Sequence, residues 1–445
     1  LTQDTAEIPD PGLAPAAPFS DRHDLENWRE CSQCGQVSVL PRMRPELVAD
    51  CPRCDHTLWR MRISPFEFPI ACGLSGLLFY LYALVAPFLE ISAYGRFQLA
   101  RLETGPLQLT YQGFELVGAL VMAVTLVFPG LKLGLMLFTL IGLDSRVVSP
   151  RLLKGVFRWY LPIGPWAMTD VYLLGFLVAY TRLIAIASVH LDTALFSLIG
   201  LVVSMAAADA ALDAEAVWRA LDRAEHGEAG TVAAPPREGD ALIGCHGCGL
   251  MNRAAAGDRC RRCRSALRWR KTNSLARTWA FVLAAVALYI PANIYPVMLI
   301  TQLAHTQPFT IMGGIVELID YGLWPLAMLV FLASITIPLM KLLILVHMLV
   351  TTQFGSAEHL VGRTRAFRVI DFIGRWSMID VFMISILVAL VRFNQFANIQ
   401  ADVGAPCFAA VVVLTMFAVE SFDPRLMWDA ADHARTAARP AAARA

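Results

Sequence analysis

The sequence is short of charge. Only 16% of its 445 residues are Asp, Glu, Lys or Arg, and only four of these are lysine. With 57% apolar residues and a mean hydropathy of +0.54, that scarcity excludes an ordinary soluble globular chain and points to a membrane protein. A surplus of one sign is missing too. The 37 basic residues barely exceed the 36 acidic ones, so nothing suggests neutralisation of nucleic-acid phosphates as the main task. No lysine follows a glycine, which removes the end of a P-loop and with it a self-contained P-loop ATPase. Neither His-Glu-x-x-His nor Gly-x-Ser-x-Gly occurs, which leaves an enzyme reading little to stand on. The first 60 residues, polar and Pro/Ala-rich, have no basic n-region leading into an apolar core, so the N-terminus is expected in the cytoplasm.

Apolar runs of the length needed to cross about 30 Å of hydrocarbon occur near 69–91, 113–143, 166–189 and 193–212, and again near 278–300, 313–350, 376–397 and 404–420. Residues 113–143 would be about 46 Å long as one helix, and 313–350 longer still, so tilt, a kink or a re-entrant piece is expected in both. The two sets of four repeat each other. Cys31, Cys34, Cys51 and Cys54 answer Cys245, Cys248, Cys260 and Cys263; Pro129 and Lys132 answer Pro338 and Lys341; Trp166 and Asp170 answer Trp376 and Asp380. The expected fold class is therefore an all-α polytopic membrane protein, a duplicated unit of a four-cysteine zinc ribbon followed by about four transmembrane helices. An even number of spans per unit brings both copies into the membrane from the same side, a parallel repeat.

Loop charge sets the orientation. Arg146, Arg151, Lys154 and Arg158 between spans two and three, and Arg363, Arg365, Arg368 and Arg375 in the equivalent loop, place those loops in the cytoplasm. The loops after spans three and seven and the stretch 301–312 carry no Lys or Arg and are expected to face outward. The boundaries that follow are a disordered tail at 1–24, ribbon 1 at 25–64, transmembrane domain 1 at 65–222, a linker at 223–240, ribbon 2 at 241–271, transmembrane domain 2 at 272–430 and an Ala/Arg tail at 431–445 expected to be disordered.

Eight of the ten cysteines form four Cys-x-x-Cys pairs in polar stretches, separated by sixteen residues in the first copy and eleven in the second. In a reducing compartment such pairs are metal ligands before they are disulfides, and two knuckles make a tetrahedral four-thiolate site for Zn2+. Thiolates alone do not exclude iron. Four of them leave no open position for a catalytic water, so the role expected is structural, with a redox or metal sensor as the rival. Cys72 and Cys407, in apolar segments, read as packing residues.

Lys132 and Lys341 each lie within an apolar span, three residues after a proline, and Lys132 is about 18 Å from the nearer end. Neither depth allows easy snorkelling, so each needs a partner. Asp170 and Asp380, on the next span, can supply one. Two readings fit: a buried ion pair that fixes helix register, or a polar site serving proton coupling or a lipid headgroup. Ser334, Ser377 and Thr415 can join Lys341 and Asp380 around one cavity, although each hydroxyl can equally be bonded to its own helix. The first unit has a thinner set, Thr125 and Thr169, which favours the second as the working copy.

The ribbon-plus-four-span unit in duplicate, together with Asn273-Ser-Leu-Ala-Arg277, Ile290-Pro-Ala-Asn293, Gly374-Arg-Trp-Ser-Met-Ile-Asp-Val381 and Phe422-Asp-Pro-Arg-Leu-Met-Trp-Asp429, resembles the paraquat-inducible protein A (PqiA/LetA) family over almost the whole chain. The resemblance implies the inner membrane of a double-membraned bacterium, with ribbons and both termini in the cytoplasm. It also implies a periplasm-spanning MCE-domain partner and a non-enzymatic role in loading phospholipid into that partner's tunnel or extracting it. It carries the family's polar membrane cluster onto Ser334, Lys341, Ser377, Asp380 and Thr415, where a Lys/Asp pair would couple movement to the proton gradient. A membrane scaffold or envelope-stress sensor acting through its ribbons is the alternative from a different class.

Overall fold

A computed structural model describes residues 27–40, 47–93, 96–184, 188–227, 241–255, 257–302, 305–390 and 397–442. The tail expected at 1–24 and most of the linker lie outside these residues.

The first unit opens with two strand pairs, β1 (Trp28–Glu30) with β2 (Val37–Val39) and β3 (Val48–Asp50) with β4 (Thr57–Arg60). Span one is α1 (Glu67–Val85). It leads to the hairpin β5 (Leu89–Ala93) and β6 (Arg96–Ala100), then to the short helix α2 (Thr104–Tyr111). Span two is α3 (Glu115–Met122) and α4 (Phe128–Ser145), joined without a break through a π-turn at Ala123–Val127. Span three begins as α5 (Pro150–Ile163), passes a 3-10 turn at Gly164–Trp166 and continues as α6 (Thr169–Ile184). Then come β7 (Ser188–Leu191), span four as α7 (Thr193–Ala211), and α8 (Ala214–His226).

The second unit repeats this order. β8 (Ala241–Gly244) and β9 (Met251–Ala254) precede α9 (Ser274–Ile294), β10 (Met298–Gln302), β11 (His305–Phe309) and α10 (Ile311–Asp320). Span six is α11 (Trp324–Phe331), a π-turn at Leu332–Thr336, and α12 (Ile337–Gln353). Span seven is α13 (Leu360–Ile373), a 3-10 turn at Gly374–Met378, and α14 (Ile379–Leu390). β12 (Ala397–Ala401), α15 (Gly404–Ser421) and α16 (Arg425–Ala442) close the chain. Eight spans long and apolar enough to cross a membrane result. The duplicated helical unit expected from the sequence is what folds.

Four details differ from the sequence expectation. The 313–350 run is two elements: α10 stops at Asp320 and the span starts at Trp324. The loops at the far ends of the spans are ordered as two three-stranded antiparallel sheets, β6-β5-β7 and β11-β10-β12. α8 continues through His226 into the stretch read as a linker. α16 carries helix to Ala442, through most of the tail read as disordered. Helical continuity there is supported by Arg53, whose guanidinium bonds Asp432 at 2.8 Å and lies 4.5 Å over the Trp428 ring.

Local chemistry sets the ends. Ala86 and Tyr295 each precede a proline, whose ring disfavours helical geometry in the residue before it, and both are extended at ψ 146° and 148°. The chain therefore leaves α1 and α9 straight into the central strands of the two sheets. At the other face, Asp213 turns the chain from α7 into α8 by accepting the backbone N–H groups of Glu215 and Ala216 at 3.1 Å.

The units meet along α6 and α14. Gly175 permits this approach: a Cβ there would lie 2.9 Å from Phe382 Cβ and 3.0 Å from the Ile379 carbonyl. All twelve residues of α14 are buried, so this half of span seven is wrapped by protein and not by lipid. On the sheet face Gln112 of the first unit accepts the Ala401 N–H at 2.9 Å and binds β12 of the second. On the opposite face, which we call the ribbon face, the ribbons cross over. The cysteines of ribbon 1 share a core with Phe367, Met427 and Trp428 of the second unit. Ribbon 2 anchors to α8 of the first, with Arg262 bonding Asp222 at 2.6 Å and Glu215 at 3.2 Å.

Candidate functional site

Two kinds of site emerge. The first is the pair of cysteine clusters. In each, four sulfur atoms lie within 4.8 Å of one another and are buried. Sγ–Sγ separations of 3.5 Å for Cys31–Cys54 and Cys34–Cys51, and of 3.4 and 3.6 Å for Cys245–Cys263 and Cys248–Cys260, are close to the about 3.8 Å edge of a tetrahedron with metal–sulfur bonds of 2.3 Å. Both clusters can therefore hold a metal ion. Asn252 donates to Cys260 Sγ at 3.6 Å, a polar support for one thiolate.

The second site lies inside the membrane, and there the two units part company. In the first, Lys132 pairs with Asp209 of α7 at 2.5 Å, and Tyr160 donates to the same carboxylate at 2.9 Å. The expected partner Asp170 is not the one used; it sits half-buried in the first turn of α6. Lys132, Tyr160 and Asp209 fill their space so closely that no volume for a water remains between them.

In the second unit Lys341 is 1% exposed and takes different partners: the Gly374 carbonyl at 3.2 Å and the Ser377 hydroxyl at 3.5 Å. Among the described residues no carboxylate forms a salt bridge with it. The spacings that align Trp166 with Trp376 and Asp213 with Asp423 put Ile370 where Tyr160 stands and Val419 where Asp209 stands. The two groups that neutralise the first lysine are thus replaced by apolar side chains. Gly374 gives the second lysine its room, since a Cβ there would meet its Cε at 3.3 Å and Nζ at 3.4 Å.

Beside Lys341 opens a cavity of about 690 Å³, with Ile370 and Val419 in its wall and the ribbons at its far end. Lys271, Asp371, Arg375 and Glu420 line it, as does a closed ion cluster in which Arg425 binds Asp423 and Glu30, each at 2.9 Å. His246 completes that cluster at 2.7 Å from Arg425. Burial first, then the guanidinium, lower its imidazole to about 4, so it is neutral. The Lys271 ammonium donates to the Glu420 and Phe422 carbonyls, at 2.5 and 3.2 Å, and its backbone N–H to Asp423 at 3.1 Å.

The other predicted residues surround Lys341 at different removes. Ser377 touches it. Ser334, in the π-turn, donates to the Val330 carbonyl at 2.7 Å, and Thr415 to Val412 at 2.8 Å. Thr125 does the same with Val121 at 2.7 Å in the first π-turn. Asp380 is 3% exposed and faces a small void of about 20 Å³ under β10 and α10, beside Thr310 and Phe408. Lys341 and Asp380 thus face the ribbon side and the sheet side respectively. Sequence reasoning missed Asp209, Tyr160, Lys271, Asp371 and Glu420. A line-by-line comparison of the two halves would have found the first two, because they are the charged and hydroxylated positions that the second half lacks.

Duplicated four-cysteine clusters, eight spans among the described residues and a buried lysine in each unit define a two-unit membrane protein with two cysteine clusters that can each hold a metal ion and with one filled and one open polar core. A family model described as paraquat-inducible protein A matches residues 67–222 and 275–432, and the chain belongs to that family. It is 31% identical over 414 residues to the intermembrane transport protein PqiA of Escherichia coli, covering 92% of this chain and 97% of the relative. It is 30% identical over 404 residues to the lipophilic envelope-spanning tunnel protein A of the same organism, covering 91% and 92%. A probable intermembrane transport protein of Haemophilus influenzae is 25% identical over 404 residues, covering 90% and 94%. No solved structure matches the chain.

Proposed function

We propose that this protein is the inner-membrane component of an MCE-type lipid transport system. It passes phospholipid to or from a periplasm-spanning partner, with the ribbon face and both termini in the cytoplasm and one Zn2+ held by each cysteine cluster. The names of its relatives support the transport class. The basic loops Arg146–Arg158 and Arg363–Arg375 support the orientation. The four-thiolate donor sets support zinc in a structural role.

The observation that carries the assignment of the working core is the contrast between the two lysines. A buried ammonium without a contacting carboxylate is costly, and such groups in membranes mark transport or proton pathways. The first unit removes that cost with Asp209 and the second keeps it. Protonation changes at Lys341 and Asp380, the two buried ionisable groups of the second core, couple the proton gradient to lipid movement in this reading.

The test is phospholipid transfer from proteoliposomes holding the full chain to its purified MCE partner. Lys341→Ala and Asp380→Asn are expected to abolish transfer while leaving the amount of folded protein unchanged. Loss of the folded protein in both would assign the residues a purely structural role. The scaffold or sensor reading expects zinc release by mild oxidant to switch transfer on or off. The thiols are shielded against it, each ligand sulfur belonging to a residue no more than 6% exposed.

A further inference from the structure

We propose that the cavity beside Lys341 is a binding site for the headgroup of a zwitterionic glycerophospholipid, phosphoethanolamine in class, drawn from the leaflet on the ribbon face; this rests on the transport reading above. Once Arg425, Asp423 and Glu30 have satisfied one another, the lining keeps three cations, Lys271, Lys341 and Arg375, and two carboxylates, Asp371 and Glu420. None of these five forms a salt bridge with another described residue. Arg375 packs its guanidinium 5.8 Å over the Phe372 ring, which leaves its in-plane N–H groups to an incoming acceptor. Separated charges of both signs around an open space match a ligand that carries phosphate and ammonium together, and guanidinium is suited to bidentate phosphate contact.

Three of these charges belong to this unit alone. The positions of the first unit that correspond to Asp371, Arg375 and Glu420 are Leu161, Pro165 and Ala210, and the space beside Lys132 is closed. The volume, about 690 Å³, is that of a small-molecule site. Its rim is apolar where the units meet: Pro162 and Pro165 are exposed, Phe372 is 61% exposed, and Trp166 reaches across to Phe417 at 5.2 Å between ring centres. Acyl chains can stay against that rim in the membrane while the headgroup enters. Lys341, at the inner end, would then meet the ligand directly.

A photoreactive benzoylphenylalanine replacing Phe372 in the full chain, irradiated in membranes with radiolabelled phosphatidylethanolamine, tests this. The expected result is a lipid adduct that falls about tenfold in Lys271→Gln/Arg375→Gln, is partly kept in Arg375→Lys and is unchanged in Arg158→Gln. Phe196, 68% exposed on α7, is the reference position for lipid that merely surrounds the protein. An adduct at 372 as insensitive to the substitutions as that at 196 would overturn the site, and so would its absence while 196 reacts. Loss of the adduct on adding inorganic phosphate at millimolar concentration would assign the cavity to free phosphate instead. Transfer assays report separately: an intact adduct without transfer refutes the transport reading and leaves the site, whereas transfer with no adduct does the reverse.

Discussion

The difference in how the two units hold their buried lysines comes down to two positions. Tyr160 and Asp209 in one are Ile370 and Val419 in the other, and the first pair turns a buried lysine into part of the frame. Removing the carboxylate with Asp209→Asn leaves Lys132 buried and uncompensated. The expected result is a fall in thermal stability in detergent, smaller than for a fully buried pair because the Asp209 side chain is 43% exposed. Grafting the pair onto the second unit, Ile370→Tyr with Val419→Asp, should have the opposite character: stability kept or raised, lipid transfer lost, because Lys341 would be neutralised and its cavity filled. Lys132 and Lys341 were themselves legible in the sequence, being charges at matching depth in apolar runs. Their partners were not. Asp209 lies at the end of an Ala-rich span where an acidic residue looks like an interfacial one, and only the fold shows α7 bringing it to α4.

At the scale of elements, the π-turns explain how spans of 30 and 31 residues fit a membrane and aim a lysine inward at the same time. Each precedes its proline, whose missing N–H breaks the regular ladder at that point. Deleting Leu339, in the regular helix between the second π-turn and Lys341, would rotate the lysine and the rest of α12 by about 100° against α11. The expected outcome is a membrane-inserted protein whose Lys341 no longer reaches Gly374 and whose transfer activity is gone. The equivalent deletion of Gly130 should instead lower folded yield, since it parts Lys132 from Asp209. The prolines made a kink legible, but not that it would take π form. The small sheets were invisible for another reason: their strands are five residues or fewer, lie directly against span ends, and gave no alternation that hydropathy could separate from loop.

At the scale of the whole molecule, the ribbons cross over, and each cysteine cluster is anchored in part on the other unit. Cys51→Ser is therefore expected to raise hydrogen exchange in α13 and α16, and Cys260→Ser in α8, with chelation doing both. Exchange confined to the ribbon's own unit would contradict the crossed arrangement. Acid should loosen the α8 attachment as well. Burial by itself would raise the Glu225 carboxyl, but hydrogen bonds from Lys154 and Arg151 outweigh it and hold it at about 2, below the ordinary 4.5. A depressed carboxyl stabilises the fold above pH 4.5 and loses that contribution as pH falls towards 2, so α8 exchange should increase across that window. The duplication, the spans and the cysteine clusters could all be read from hydropathy and spacing alone. The crossing could not, because it depends on Arg53 and Arg262 finding acids far away in sequence, and neither pair has a local signature.

α14 has no lipid-facing side. A span in contact with acyl chains can tilt or turn against a fluid that gives way, but this one is gripped by α6 and α2 of the first unit and by α15 of its own. In the transport reading proposed above it would serve as an axle: the surrounding spans would turn about α14, and Asp380 would keep its height in the membrane.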